Sequence, residues 1–243
     1  MKRLDQFLSE NSILTRSKAK DAVRSGRVTV NAVKAKDPAM KISDTDEVML
    51  DKEPVTATGP VYIVMNKPAG VLSATEDGKD RTVLDLVKES EKIPDNIKKK
   101  ELFPIGRLDK DTEGLLVITD DGKLSHDLLS PSKHVEKTYF AVCTGTPAED
   151  AAERFRDGIM VGEDYKALPA KLQVVSQENG RCELLITLTE GRFHQVKRMC
   201  HEIGAEVEYL KRVSFGALKL PEDLKPGDLM LMPDFPEKVR TEK

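Results

Sequence analysis

The stretch from Ile105 to Leu116 holds the densest set of reactive side-chain types in the chain. Its sequence, IGRLDKDTEGLL, places Arg107 and the carboxylates Asp109, Asp111 and Glu113 between two glycines. Carboxylates can act as nucleophiles, as general bases or as counter-charges for a developing cation. Glycines beside a charged loop let its backbone approach a ligand closely. By itself, however, the stretch is explained more simply as a solvated surface turn.

Two later stretches hold further candidates. Tyr139 opens the apolar run Phe140–Val142, where it is by itself an ordinary strand aromatic. The segment Glu190–Met199 (EGRFHQVKRM) collects basic and amide side chains, and its pattern predicts a helix over residues 193–202. The apolar face of that helix is expected to consist of Phe193, Val196 and Cys200.

Metal and cofactor motifs are missing from the sequence. His194 and His201 lie seven residues apart, two turns along one helical face, but HEXXH spacing and a third ligand are lacking. There is also no glycine-rich dinucleotide or phosphate loop. We therefore expect neither a metal nor a small-molecule cofactor.

Charge is distributed unevenly along the chain. The formal net charge is −3, yet residues 1–41 carry ten basic and four acidic side chains, which leaves +6 there and −9 in the remaining 202 residues. A basic module on an acidic body is typical of an RNA-docking domain, although a solvated charged face gives the same count. Three cysteines without CxxC spacing, and the lack of a signal or membrane-length apolar run, favour a cytoplasmic protein.

The first 50 residues predict two helices followed by two strands. The first helix is indicated by Leu4, Phe7 and Leu8, and the second by a cap at Thr15 or Ser17 and an apolar face of Ala19, Ala22 and Val23. Gly26 follows the second helix, where a left-handed conformation costs least. The strands are expected at 27–31 and 47–50, with a turn at 43–46. Arg16, Lys20 and Arg24 recur every four residues and would form one basic stripe suited to phosphates.

This pattern resembles the S4 RNA-binding domain over residues 2–50. The residues that carry the likeness are Arg3-Leu4-Asp5, Ser17-Lys18-Ala19 and Gly26-Arg27-Val28-Thr29-Val30-Asn31. Ala32 departs from the glycine usual in that family, which suggests a different turn after the strand. The resemblance implies RNA contacts from Arg3, Arg16, Ser17, Lys20, Arg24 and Arg27.

The remainder predicts a larger α+β domain with a largely antiparallel, mixed sheet. A linker at 56–60 would separate an N-terminal domain (1–55) from this domain (61–243). Strands are expected at 61–65, 114–119, 137–143, 170–175 and 182–189. Helices are expected at 82–89, 124–129, 148–156 and 193–202. The lysine-rich stretch 88–100 is expected to be a solvated insertion.

Three motifs in this order resemble the pseudouridine synthases of the RsuA type. They are Gly106-Arg107-Leu108-Asp109, Lys137-Thr138-Tyr139 and the segment 190–199, and the likeness extends from about Val61 to Pro233. The branch that modifies small-subunit (16S) ribosomal RNA is the most similar. That likeness rests on Thr119-Asp120-Asp121-Gly122, Ser125-His126, Ser130-Pro131, His134 and Glu136–Tyr139.

The resemblance implies an enzyme that isomerises uridine in RNA to its C-glycoside. By position, Asp109 matches the catalytic aspartate, and Lys197 matches the basic residue expected to pair with it. Tyr139 matches the tyrosine that can stack on the target base and help remove its C5 proton. Arg107 is expected to help hold open the space left when the uridine is flipped out of the stack. Further RNA contacts are expected from Arg192, His194 and Gln195.

Three alternatives remain open from the sequence. They are a large-subunit (23S) ribosomal RNA target, a non-catalytic RNA-binding protein of ribosome assembly, and a glycosidase-like hydrolase that uses two of the clustered carboxylates. The expected partner is ribosomal RNA or a small-subunit assembly particle, with no membrane association. The protein is expected to act as a monomer.

Overall fold

The computed structural model describes residues 1–12, 14–43, 45–56, 59–163 and 165–235. Two compact units emerge, one formed by residues 1–61 with 94–101 and the other by 62–93 with 102–243. Asp44 in the predicted turn, residues 57–58 in the predicted linker and residues 236–243 lie outside the described ranges.

The first unit packs two helices against short strands. Its elements are β1 (Lys2–Arg3), α1 (Leu4–Asn11), α2 (Arg16–Arg24), β2 (Val28–Val30), β3 (Val33–Lys34), β4 (Lys41–Ile42), β5 (Val48–Leu50) and β6 (Glu53–Pro54). The Thr15 side chain caps α2 by accepting from the Lys18 amide at 3.3 Å, and Gly26 follows the helix with a φ of +74°. Leu4, Leu8, Ala19 and Val28 belong to its apolar core.

A tight turn joins β2 to β3. Asn31 and Ala32 have φ values of 51° and 63°, and Val30 pairs with Val33. Positive φ at both central residues defines the type I′ turn that Asn-Gly sequences favour. Ala32 therefore adopts a left-handed conformation that glycine adopts with less strain than alanine does. The different turn that the sequence suggested is not formed, because the turn is the one that a glycine here would also favour.

The lysine-rich stretch is more structured than a solvated insertion. Ile93 is buried, with 1% of its surface exposed. Residues 95–98 form the short helix α4 (Asp95–Lys98), and residues 94–101 belong to the first unit although they lie within the chain of the second. Most residues of 88–100 are exposed, as expected, but the buried Ile93 and the helix were not anticipated because only the charges were counted.

The second unit is built on one large sheet. Its strands are β7 (Tyr62–Lys67), β8 (Phe103–Pro104), β9 (Glu113–Thr119), β10 (Lys137–Gly145), β13 (Lys171–Glu178), β14 (Arg181–Leu188), β15 (Ala205–Phe215), β16 (Leu218–Lys219) and β17 (Leu229–Met232), and β11 (Met160–Val161) pairs separately with β12 (Tyr165–Lys166). The order across the main path is β13-β14-β10-β15-β9-β7-β17, with β8 and β16 pairing to β9 and β15. The β15–β9 pair is parallel and the other pairs are antiparallel. This mixed sheet confirms the predicted α+β class.

The parallel contact in mid-sheet requires a glycine. Gly114 has a φ of +106°, and a Cβ there would come within 2.3 Å of the Arg212 carbonyl oxygen. The prediction that both loop glycines serve the approach to a ligand is thus wrong for Gly114, since this glycine lets β9 approach β15.

Helices α3 (Val83–Glu89), α5 (Gly122–Leu129), α6 (Ala151–Asp157) and α7 (Gln195–His201) complete the second unit. A reciprocal capping box between Thr82 and Asp85 begins α3, and the Asp121 carboxylate caps α5 by accepting from the Leu124 amide. One apolar core of this unit includes Tyr62, Ile105, Leu115 and Phe215. None of the described helices is long and apolar enough to cross a membrane.

Candidate active site

A cavity of 670 Å³ lies in the second unit, within the range of about 300–1,000 Å³ usual for small-ligand sites. Its walls come from the loop before β9, from β10 and from the segment that leads into α7. The predicted site residues among its lining are Arg107, Asp109, Tyr139, Arg192, His194, Gln195 and Lys197. Three motifs that are far apart in sequence therefore meet at one site.

Asp109 and Lys197 face each other in this cavity. Lys197 Nζ lies 3.6 Å from Asp109 Oδ2, and the Asp109 side chain is 30% exposed. The same ammonium donates to both Asp111 oxygens, at 2.7 and 2.8 Å. This hydrogen-bonded ion pair lowers the pKa of Asp111. Arg198, the other basic residue of the motif, lies instead over the Tyr165 ring, 5.6 Å from its centroid.

The loop that carries Asp109 is fixed from beneath by Lys67. This lysine is fully buried at the end of β7, and its ammonium donates to the carbonyl oxygens of Thr112 (2.8 Å), Pro68 (3.0 Å) and Lys110 (3.2 Å). Burial lowers the pKa of Lys67 to about 8. The Gly70 amide also donates to the Lys110 carbonyl, at 2.7 Å.

Ser73 holds the same loop from its other side. Its hydroxyl donates to the Leu108 carbonyl and accepts from the Leu108 amide, both at 3.0 Å. Asp109 therefore sits between two anchored segments, so its carboxylate is positioned before any ligand binds. Sequence analysis missed Lys67 and Ser73. A lysine at the end of an apolar strand was the available signal for Lys67.

Tyr139 and Arg107 occupy different depths of the cavity. Tyr139 lies on β10 and is only 8% exposed, so its ring belongs to the cavity wall. Arg107 is exposed and lines the same cavity two residues before Asp109. With Lys110, Arg192 and Lys197 also in the lining, cations outnumber the carboxylates Asp77 and Asp109 there.

The turn before α7 departs from the predicted helix. The helix begins at Gln195, and His194 has the left-handed angles φ 49° and ψ 31°. Phe193, predicted on the buried face, is 77% exposed, and its ring stacks on His194 with centroids 3.8 Å apart. His194 Nε2 lies 3.8 Å from Asp109 Oδ2.

Gln195 supports this turn from inside. It is buried, accepts from the Arg192 amide at 2.9 Å, and donates to Glu190 Oε1 at 2.6 Å. Both ends of its amide are therefore engaged within the turn. This arrangement differs from the RNA contact predicted for Gln195, because a buried amide bonded to its own loop stabilises that loop's shape. Arg192 itself lies over the Tyr165 ring, 4.3 Å from the centroid.

Two buried cations of the second unit, Lys137 and Arg212, are not part of the cavity lining. Lys137 donates to the Val135 carbonyl at 3.1 Å, and Arg212 donates to the Leu115 carbonyl at 2.8 Å. Both lie over the Phe215 ring, at 5.3 and 4.9 Å from its centroid. Burial and the neighbouring charge of Arg212 lower the pKa of Lys137 to about 8.

The predicted RNA-contacting residues of the first unit lie on its surface, several of them in ion pairs. Arg3 donates to both oxygens of the buried Asp5, at 3.0 and 2.9 Å, and Arg16 approaches the same carboxylate at 3.8 Å. Arg27 pairs with Asp51, and Arg24 lies 3.9 Å from Asp21. Ser17 is exposed and Lys20 is half-buried. Within the described ranges, no group of three or more histidine, cysteine or acidic side chains is arranged to hold a metal ion.

Comparison with known proteins matches both units. The sequence model of the RNA pseudouridylate synthase family matches residues 61–202, and that of the S4 domain matches residues 2–48. The chain is 41% identical over 227 residues to the ribosomal small subunit pseudouridine synthase A of Vibrio cholerae, with 93% of this chain and 94% of that protein covered. Identity to the enzyme of that name in Escherichia coli (strain K12) is 36%, with the same coverage.

Two further relatives agree with this assignment. An RNA pseudouridine synthase of Bacillus subtilis (strain 168), described as uncharacterized, is 41% identical, with 93% of this chain and 92% of that protein covered. A crystal structure of a pseudouridylate synthase superposes with a TM-score of 0.63 at 34% identity and covers 96% of each chain. The fold is that of an RNA-modifying isomerase that carries an S4 domain. The chain belongs to the RNA pseudouridylate synthase family, which confirms the predicted enzyme class.

Proposed function

We propose that the protein converts a specific uridine of small-subunit ribosomal RNA to pseudouridine, with Asp109 as the catalytic carboxylate. The observation that carries the proposal is the meeting of Asp109, Tyr139 and Lys197 in one cation-lined cavity. The similarity to proteins named ribosomal small subunit pseudouridine synthase A supports the choice of RNA.

The reaction breaks the glycosidic C1′–N1 bond and joins C1′ to C5 of the turned base. The C5 proton leaves and N1 gains a proton, so no atom is gained or lost overall. Asp109 acts on the sugar, either by bonding to it or by stabilising the cationic character that develops as the C–N bond breaks. Both roles require an ionised carboxylate, and the ammonium of Lys197 at 3.6 Å supplies the opposite charge.

The target base enters the cavity after leaving the helical stack, because a stacked uridine is out of reach of Asp109. Tyr139 forms part of the wall against which the flipped base rests, and its hydroxyl helps remove the C5 proton. Arg107, an exposed residue of the lining, helps hold open the space that the base leaves. Arg192 and His194 then contact the flanking RNA.

We assign residues 1–55 as the RNA-docking domain and residues 61–243 as the catalytic domain. Arg3, Arg16, Ser17, Lys20, Arg24 and Arg27 contact phosphates, which fixes register and makes binding salt-dependent. The substrate is small-subunit ribosomal RNA, either free or in an assembly particle, and the enzyme acts in the cytoplasm as a monomer.

The experiment is to incubate the protein with unmodified small-subunit and large-subunit ribosomal RNA, each free and in ribosomal particles. Pseudouridine is then mapped by carbodiimide treatment and primer extension. One strong stop on small-subunit RNA supports the proposal, and its position names the target. A stop only on large-subunit RNA overturns the choice of substrate. Release of free uracil without pseudouridine would indicate a hydrolase, and tight binding without any product would indicate a docking protein.

A further inference from the structure

The turn at Phe193 and His194 presents an aromatic ledge to solvent. Among the large hydrophobic side chains described, only the N-terminal Met1 is more exposed than Phe193. The Phe193 and His194 rings stack with their planes 16° apart. We call this stacked pair the aromatic ledge.

The exposure of the ledge is built into the fold. The backbone amide of Gln195 donates to the backbone carbonyl of Arg192 at 3.2 Å. In return, the side-chain oxygen of Gln195 accepts from the backbone amide of Arg192. These two bonds close the turn and leave Phe193 and His194 at its tip. Burying a phenylalanine ring stabilises a folded protein, so a ring that an ordered turn keeps in water is available to a ligand.

The surroundings of the ledge suit a nucleobase. Both of its residues line the cavity that contains Asp109, and Arg192 precedes Phe193 directly. An exposed aromatic face in a cavity whose lining also holds Arg107, Lys110 and Arg192 matches single-stranded RNA, in which bases stack on rings while phosphates meet cations. An apolar protein surface would gain nothing from these neighbouring charges.

We propose that the aromatic ledge stacks the base of a nucleotide next to the target uridine. This inference rests on the proposed function, because it places a second base on the exposed part of the cavity lining while the target base lies at Asp109. Stacking is tolerant of sequence, since every base has a π face. Phe193 therefore adds affinity and register without reading base identity.

The first test uses tryptophan fluorescence. The chain contains no tryptophan, so Phe193→Trp creates a single emitting side chain at the ledge. Titration with a short oligouridylate is expected to quench its emission. The matched control is Val175→Trp, at a half-exposed position on the edge strand β13 outside the cavity lining. Equal quenching in both variants, or none in Phe193→Trp, overturns the proposal.

The second test separates stacking from folding. Phe193→Ala is expected to raise KM for the RNA substrate by about fivefold to a hundredfold, which corresponds to the usual strength of one base–aromatic stack. Phe193→Tyr keeps the ring and should retain a KM close to that of the parent enzyme. The melting temperature should stay unchanged in both variants, because Phe193 is largely exposed. If the parent is active and Phe193→Ala has the same KM, the stacking role of the ledge is wrong and the proposed function stands. If the parent is inactive, the proposed function itself is wrong.

Discussion

Lys197 donates to both carboxylate oxygens of Asp111, although the sequence singled out Asp109 as its partner. The Nζ–oxygen distances are 2.7 and 2.8 Å to Asp111 and 3.6 Å to Asp109. Asp111 thus anchors an ammonium that also faces the proposed catalytic carboxylate. A glycosidase-like use of Asp109 and Asp111 as two free carboxyls does not fit this pairing.

This arrangement predicts unequal effects when Lys197 or its partner Asp111 is replaced. Lys197→Met removes the charge that faces the reacting carboxylate, and the single-turnover rate should fall by about 100-fold or more. Asp111→Asn leaves that charge in place and loosens only its anchor, so a fall of about tenfold or less is expected. Quench-flow measurement with saturating enzyme compares the two rates. Equal losses in both variants would show that the anchor matters as much as the charge.

The hydrogen bonds from the buried Lys67 to the loop that carries Asp109 give a second prediction. Lys67→Met deprives the Thr112 and Pro68 carbonyls of their shared donor, so the free energy of unfolding should fall by about 1–3 kcal/mol. The rate should fall as well, because the loop that holds Asp109 loses its support. Urea unfolding and single-turnover assays measure the two effects.

A matched control for Lys67 is Lys110→Ala on the same loop. The Lys110 side chain is half-exposed and pairs with Asp80 at 2.8 Å. Surface pairs contribute less than about 1 kcal/mol, so the free energy of unfolding of this variant should remain close to that of the parent. A Lys67→Met protein that is as stable as Lys110→Ala and as active as the parent would remove the positioning role of Lys67.

The turn at Ala32 predicts a stabilising substitution. A left-handed non-glycine residue costs about 1–2 kcal/mol, and the extra flexibility of glycine in the unfolded chain costs about 0.5–1 kcal/mol. Ala32→Gly should therefore stabilise the first unit by up to about 1 kcal/mol, whereas the β-branched Ala32→Val should destabilise it. Denaturant unfolding of both variants checks the order, and a less stable glycine variant would contradict the strain at φ 63°.

The buried Lys137 predicts a dependence of stability on pH. Its pKa is about 8 in the folded protein and about 10.4 in an unfolded chain, so between these values the unfolded state binds more protons. The contribution of Lys137 to stability should therefore rise as pH increases through this window, by at most about 1.4 kcal/mol per pH unit.

Lys137→Met isolates this contribution from those of other titrating groups. The unfolding free energy of the parent minus that of the variant is measured by urea titration from pH 7.5 to 10. We expect this difference to increase with pH. A constant or falling difference would mean that the folded Lys137 is not held at a lowered pKa.

Periodicity and cap residues predicted much of the fold. The alternation of β10 and β14, the Thr15 cap and Gly26 were all visible as local patterns. The longest strand, β15, was missed. Its pairing with β10 shifts register at Glu208 and again at Val213, which interrupts the alternation along the strand. A charged residue, Arg212, also lies on the buried side. Arg212 is stabilised by the Leu115 carbonyl, which is 97 residues away in sequence, and by the Phe215 ring. Neighbours in sequence do not indicate that such a cation is buried.

The sequence predicted which residues form the candidate site better than it predicted how they are positioned. Three motifs indicated Asp109, Tyr139 and Lys197, and the structure brings them to one cavity. Periodicity placed Phe193 on the buried face, but the left-handed His194 starts the helix two residues later and turns Phe193 outward. The support from Lys67 and Ser73 depends on tertiary contacts with backbone atoms, which side-chain patterns do not encode.

The most direct test of the central claim is the product formed by Asp109→Asn on unmodified small-subunit ribosomal RNA. Asparagine keeps the size of the side chain and removes its charge, so RNA affinity measured in parallel should remain within about threefold of the parent. We predict a pseudouridine stop with the parent and none with the variant. A variant that forms pseudouridine at the parent's rate would show that Asp109 is not the catalytic carboxylate.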